Sequence, residues 1–234
     1  MKLFLDSAIV SEIDERLNTG VISGVTTNPT LIKRSGREPD DVYADLIKDI
    51  GVTDLSIEVN GFNSRELILN GVKYAELWKK EATIKLPCTI EGIKACRTLS
   101  YMGIRVNMTL VFSVEQAILC ALAGATYVSP FIGRLEDNGE DGIGLIRDIS
   151  EVFTNSKTKT KILAASIRDS DTVGYAFACG ADICTVPVEV FDEMFRHRLT
   201  DAGLAQFMLD SGPVSYTHLR AHATPEHLVC RLLR

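Results

Sequence analysis

Short apolar runs alternate with stretches of helical periodicity eight times along this chain, and that repetition constrains its fold more than any other feature. Lys2 to Leu5 precedes Ile9, Ile13 and Leu17, which recur at the spacing of one helix face. Val21 to Thr27 closes at Asn28-Pro29 and, after a polar loop, gives way to Val42, Leu46, Ile47 and Ile50 on a second helix. The pattern continues with strand Leu55 to Val59 and a helix over 64–80, then strand Ala82 to Leu86 and a helix over 90–101. Strand Ile104 to Leu110 leads to a helix over 114–123, and Thr126 to Ser129 leads, after a Gly- and Asp-rich loop, to a helix over 143–153. Lys161 to Ala165 and Asp182 to Val186 supply the last two strands, each with a helical segment after it. Strands alternating with helices predict a parallel sheet. At roughly 25 residues per unit, 234 residues leave no room for a second domain, and the simplest closure is a single (β/α)8 TIM barrel. An open doubly wound sheet is the alternative, but no strand is followed by a Gly-x-Gly-x-x-Gly turn.

The composition narrows the class of partner. A net charge of −6 and a pI near 5.3 argue against a nucleic-acid or anionic-membrane surface, while leaving room for a local basic pocket. No apolar run approaches the roughly 20 residues of a membrane span, and the first residues lack a signal-peptide pattern, so a cytoplasmic location is expected. Cys88, Cys96, Cys120, Cys179, Cys184 and Cys230 show no paired C-x-x-C spacing. They read as reduced thiols rather than zinc ligands or a disulfide framework. No metal and no cofactor is expected.

Side chains alternate across a strand, so every second residue of a barrel strand points inward. Thr83 with Lys85, Ser56 with Glu58, Asn107 with Thr109, Phe4 with Asp6, Thr26 with Asn28, Tyr127 with Ser129, and Ala164 with Ser166 are the expected inward sets. Their chemically capable members fall toward the carboxyl ends of the strands, where active sites of this architecture form. Taken singly, several have a plain structural reading. Lys85 could snorkel from its strand end, Asp6 could cap a helix, Asn28-Pro29 is a common turn, and Thr109 could bond a neighbouring backbone group. Glu58 is harder to set aside, because an inward carboxylate needs a partner.

Convergence on one mouth gives the set a chemistry. Burial disfavours the charged form of an amine, and a neutral amine attacks a ketose carbonyl to give an imine, an electron sink for cleavage of the adjacent carbon–carbon bond. A carboxylate must then take the proton of the hydroxyl at the cleaved bond, and another polar pair must handle water. Arg134 and Arg168 fall just beyond the sixth and seventh strands, where guanidinium forks suit a phosphate.

Phe4-Leu5-Asp6, Gly24-Val25-Thr26-Thr27-Asn28-Pro29, Ile84-Lys85-Leu86-Pro87 and Asn107-Met108-Thr109-Leu110-Val111-Phe112-Ser113 are in register with one known family. So are Ser129-Pro130-Phe131-Ile132-Gly133-Arg134 and Ala164-Ala165-Ser166-Ile167-Arg168. Together they resemble the transaldolase family, in its short single-barrel bacterial branch that also contains fructose-6-phosphate aldolase. The resemblance implies that Lys85 forms the Schiff base and that Asp6 is the acid/base on the C4 hydroxyl of the donor. It implies that Asn28 and Asn107 hold the dihydroxyacetone hydroxyls and that Glu58 and Thr109 orient the catalytic water. Ser129 and Phe131 would line the pocket, and Arg134, Ser166 and Arg168 would receive the phosphate. Aldolases of the branch carry glutamine where Glu58 stands, so Glu58 implies transfer, from sedoheptulose 7-phosphate to glyceraldehyde 3-phosphate, in the pentose phosphate pathway. Sugar phosphates are the expected small-molecule partners, and the resemblance implies a homo-oligomer, a pentamer or decamer.

The resemblance covers residues 1–210, the expected barrel domain, with Thr200 to Asp210 an amphipathic helix. Residues 211–234 form an atypical tail in which Pro213 through Arg234, with His218, His222 and His227, is similar to translated adapter sequence. It is expected to be foreign or nonfunctional. Two other functions remain open from sequence: a fructose-6-phosphate aldolase that releases free dihydroxyacetone, and a sugar-phosphate-binding barrel without catalysis.

Overall fold

The computed structural model of the protein describes residues 1–211, so the tail from residue 212 onward, including its three histidines, lies outside the described residues. Eight parallel strands close in sequence order: β1 (Lys2–Asp6), β2 (Ile22–Thr26), β3 (Leu55–Glu58), β4 (Ala82–Pro87), β5 (Val106–Val111), β6 (Tyr127–Pro130), β7 (Lys161–Ala164) and β8 (Ile183–Val186). β8 pairs back onto β1, which leaves the sheet without an edge. The predicted (β/α)8 barrel is the observed fold.

Helices follow the strands as α1 (Val10–Leu17), α2 (Pro29–Ser35), α3 (Pro39–Ala44), α4 (Ser64–Trp78), α5 (Ile90–Tyr101), α6 (Val114–Leu122), α7 (Ile132–Glu136), α8 (Gly142–Ser156), α9 (Ser170–Ala178) and α10 (Val188–Glu193). Short polar residues start many of them. The side chains of Asn28, Asn63, Thr89, Ser113, Asp141 and Asp169 each accept a backbone N–H of the first helical turn, a contact that stabilises by about 1 kcal/mol. The loop expected after Asn28-Pro29 is therefore a helix, α2. The next helix is not uniform either: α3 runs into one π turn over Asp45–Asp49. Compactness divides the chain at Met194/Phe195, and the second unit contains α11 (Arg198–Asp210). Among the described residues no helix is long and apolar enough to cross a membrane.

The barrel wall separates two apolar layers. Leu5, Val25, Ile57, Ile84, Leu86, Met108, Val128, Ile162, Ala164 and Val186 face the helices, while Phe4, Tyr127, Leu163, Ala165 and Ile183 pack inside. Phe4 crosses the interior to meet the Tyr127 ring edge-to-face at 6.3 Å. Gly24 makes that crossing possible, because a Cβ there would lie 2.7 Å from the Phe4 ring and 2.6 Å from the Asp54 carbonyl oxygen. Beside this plug a carboxylate ties several strands together. Asp54, just ahead of β3, accepts from Thr83 Oγ1 at 2.8 Å, Tyr127 OH at 2.7 Å and Arg105 at 2.7 Å.

Two strands depart from simple alternation. On β7, Leu163 and Ala165 face inward and Ala164 faces the helices, so the expected inward placement of Ala164 is wrong by one residue. Ser166 still reaches the interior because its φ of +60° turns the chain out of strand geometry. On β5, Leu110 has φ +58° and the register with β6 shifts between Met108 and Val111, a bulge that brings Leu110 to the cavity rather than the outer wall.

Candidate active site

Above the Phe4 plug, at the carboxyl ends of the strands, the barrel opens into a cavity of about 720 Å³. Lys85, Asp6, Glu58, Thr109, Asn28, Asn107, Ser129, Phe131, Arg134, Ser166 and Arg168 all line it. Strand register is what brings the first of these together. Glu58 is the pairing partner of Lys85 across β3 and β4, and Lys85 that of Asn107 across β4 and β5.

Lys85 does not snorkel. It is 5% exposed, and its Nζ lies 3.2 Å from Glu58 Oε2 and donates to the Thr27 carbonyl at 3.0 Å. Thr27 is itself fixed, since its N–H and hydroxyl both donate to the Ser56 carbonyl. The amine is thus held by one carboxylate and one carbonyl, and Glu58 stands where it can take a proton from Nζ.

Asp6 is not a helix cap. α1 begins after Ile9 without a side-chain cap, and Asp6 Oδ1 instead accepts from Thr26 Oγ1 at 2.6 Å. Burial raises the Asp6 carboxyl above its ordinary value, against the opposing pull of the Lys85 charge and the Thr26 hydrogen bond. A carboxylate shifted in that direction is a better proton acceptor at neutral pH.

The amides and hydroxyls are held in defined ways. Asn107 donates from Nδ2 to Ser56 Oγ at 3.2 Å and accepts from Ser129 Oγ at 2.7 Å. Asn28 accepts the Leu31 N–H at 3.0 Å, which leaves its amide N–H groups for the cavity. Thr109 is 1% exposed, yet its Oγ1 has no hydrogen-bond partner among the described residues. An unpaired buried hydroxyl costs free energy unless something polar meets it.

The basic end is built on β6 and β7. The Arg134 guanidinium lies over the Phe131 ring, 5.0 Å from its centroid, and Arg168 pairs with Asp137 at 2.7 Å. That pair is more than half exposed on both sides, so a competing anion displaces it at little cost. Gly133 joins the two loops: its N–H donates to the Ser166 carbonyl at 2.9 Å. Among the described residues no group of three or more His, Cys, Asp or Glu is placed to hold a metal ion.

The family profile described as "Transaldolase/Fructose-6-phosphate aldolase" matches residues 3–221. The chain belongs to that family. The "Probable transaldolase" of Symbiobacterium thermophilum is 47% identical over 210 residues, covering 90% of this chain and 96% of that protein. Those of Carboxydothermus hydrogenoformans and Moorella thermoacetica are each 46% identical, with 90% of this chain and 97% of each relative covered. The protein is accordingly an enzyme of the transaldolase/aldolase family, as the motifs indicated.

Sequence reasoning missed some of this family member's cavity residues. Thr185 of β8 and Arg34 of α2 line the same space as Lys85. Thr185 was within reach of the face argument, since it stands two residues after the inward Ile183. Arg34 carried no signal, because its helix α2 was not expected.

Proposed function

We propose that the protein is a transaldolase, transferring a dihydroxyacetone unit between sugar phosphates through a Schiff base on Lys85. The observation that carries the reading is the buried Lys85 Nζ, 3.2 Å from Glu58 Oε2, in the cavity that Asp6 also lines. Glu58 takes a proton from Nζ, and the freed amine adds to the ketose C2 carbonyl. Water leaves the carbinolamine to give the iminium. Asp6 removes the C4 hydroxyl proton, the C3–C4 bond breaks, and its electron pair moves onto the C2 imine as an enamine while the aldehyde departs. The acceptor aldehyde reverses these steps, its oxygen regaining the proton from Asp6, and water then hydrolyses the new iminium.

The remaining residues fit roles around this path. Thr109, with a buried hydroxyl lacking a partner among the described residues, and Glu58 hold the water that is lost and regained. Asn28 and Asn107 bind the hydroxyls of the three-carbon unit, with Ser129 and Phe131 beside them. Arg134, Ser166 and Arg168 receive the phosphate. Glu58 favours transfer over release, because it is the position at which the resemblance separates the two activities.

Borohydride reduction in the presence of fructose 6-phosphate, followed by peptide mapping, tests the chemistry. The expected adduct is on Lys85. An adduct on another lysine, or none on active protein, overturns it. Turnover of fructose 6-phosphate should require erythrose 4-phosphate or another acceptor, and acceptor-independent release of dihydroxyacetone would identify a lyase instead.

A further inference from the structure

β8 brings no charge to the cavity, yet its Thr185 is 3% exposed and lies at the seam where the barrel closes. Thr185 Oγ1 is 2.7 Å from Thr26 Oγ1, which is in turn 2.6 Å from Asp6 Oδ1. β1 pairs with β2 on one side and with β8 on the other, so the two threonines flank the strand that carries Asp6.

Counting protons fixes the direction of this chain. Each threonine hydroxyl has one hydrogen, and an ionised carboxylate only accepts. Thr26 therefore gives its hydrogen to Asp6, and the contact between the threonines is made with Thr185 as donor. The order is Thr185 to Thr26 to Asp6. When Asp6 takes a proton at Oδ1, the same three groups can be satisfied only by reversing both bonds. Oδ2 has no partner among the described residues and is not among the buried unpaired atoms, so it is the oxygen open to the cavity.

We propose that Thr185 is a positioning residue for Asp6: by donating to Thr26 it fixes the Thr26 hydroxyl on Oδ1 and presents Oδ2 to the substrate. This rests on the proposed reaction, in which Asp6 moves the C4 hydroxyl proton. Hydrogen bonds in series polarise one another, so loss of the Thr185 donor weakens the Thr26 bond to the carboxylate and shifts Asp6 further toward its protonated form. The charges that face Asp6 are otherwise unchanged. They are Lys85 of β4, paired with Glu58 of β3, and, lining the same cavity, Glu12 of α1, Arg34 of α2, Glu189 of α10, Arg134 of α7 and Arg168 after β7.

The experiment compares Thr185→Val, Thr185→Ser and Thr185→Ala with the parent protein. Thr185→Val is expected to lower kcat about tenfold, equivalent to about 1.4 kcal/mol of barrier, with KM for fructose 6-phosphate unchanged. The acidic limb of kcat/KM should move to higher pH. Thr185→Ser should restore both quantities, and borohydride trapping at Lys85 should persist in every variant, because imine formation precedes the step Asp6 serves. Should valine prevent folding, the serine and alanine variants carry the same comparison, since they differ in the hydroxyl. Trapping at Lys85 with superimposable pH profiles overturns the role of Thr185 alone. Absence of trapping in the active parent protein overturns the reaction, and the role of Thr185 with it.

Discussion

Replacing Asp54 by alanine tests whether the carboxylate at the barrel floor holds the strands together. Its side chain is 8% exposed and accepts from Thr83, Tyr127 and Arg105. Thr83 is fully buried and Tyr127 6% exposed, so removal of the carboxylate leaves two buried hydroxyls without that acceptor. Each such orphan costs about 1–3 kcal/mol. Arg105 contributes little, because it is 31% exposed and also donates to the Lys80 carbonyl at 2.6 Å. The sum is about 2–6 kcal/mol, a large share of the roughly 5–15 kcal/mol by which a domain is stable. Urea denaturation of Asp54→Ala should show this loss at unchanged m-value. A sign reversal makes the test sharper. Tyr127→Phe should destabilise the parent protein by about 1 kcal/mol, yet stabilise the Asp54→Ala protein, where it removes an orphaned hydroxyl. A loss below about 1 kcal/mol for Asp54→Ala, or the same sign for Tyr127→Phe in both backgrounds, refutes the reasoning.

Other substitutions separate stability from chemistry. Asp6→Asn should abolish turnover while raising Tm: the folded protein holds the Asp6 proton more tightly than the unfolded chain, so stability falls as pH rises and the unfolded chain ionises first. The gain should vanish at strongly acidic pH and widen toward pH 7, and a lower Tm than the parent at pH 7 by calorimetry contradicts it. Gly133→Ala would put a Cβ 2.7 Å from Arg168 Cγ and 2.8 Å from its Nε, and hard against the Ser166 carbonyl oxygen. A displacement near 1 Å should cost up to about a hundredfold in kcat/KM, mostly as a raised KM for phosphorylated donors; equal losses with unphosphorylated donors argue against a phosphate site there. Thr109→Val removes a hydroxyl with no partner among the described residues, so urea unfolding should change by no more than about 1 kcal/mol while turnover drops. Destabilisation well beyond that indicates a bond formed by Thr109 Oγ1 in solution.

What the sequence made legible was whatever depends on local period. Alternation located Lys85, Glu58, Asn107 and Thr109 on the inner wall because β3, β4 and the first part of β5 keep regular strand geometry. It misplaced Ala164, and strict alternation after Thr109 would put Leu110 on the outer wall; a left-handed residue breaks that geometry on each strand. Neither Leu110 nor Ser166 is a glycine, so composition gave no warning. The floor at Asp54 was invisible for a different reason. Its partners stand at positions 83, 105 and 127, and only closure of the barrel assembles them. Asp6 was open to reading as a cap because capping and acid/base work ask for the same residue type, and only the Thr26 contact and the start of α1 distinguish them.

Asn28 shows how two unrelated requirements can meet in one side chain. Its carbonyl oxygen is committed to the first turn of α2, where serine, threonine or aspartate would serve as well. What remains for the cavity is a pair of uncharged N–H donors, which none of those three residues can supply. Aspartate would keep the helix start but add a carboxylate to a cavity that already holds Asp6 and Glu58. Serine or threonine would spend its oxygen on the helix and offer at most one donor. Position 28 is therefore an intersection of constraints: helix geometry admits four residue types, the proposed binding of substrate hydroxyls favours one of them, and each demand alone would leave the choice open.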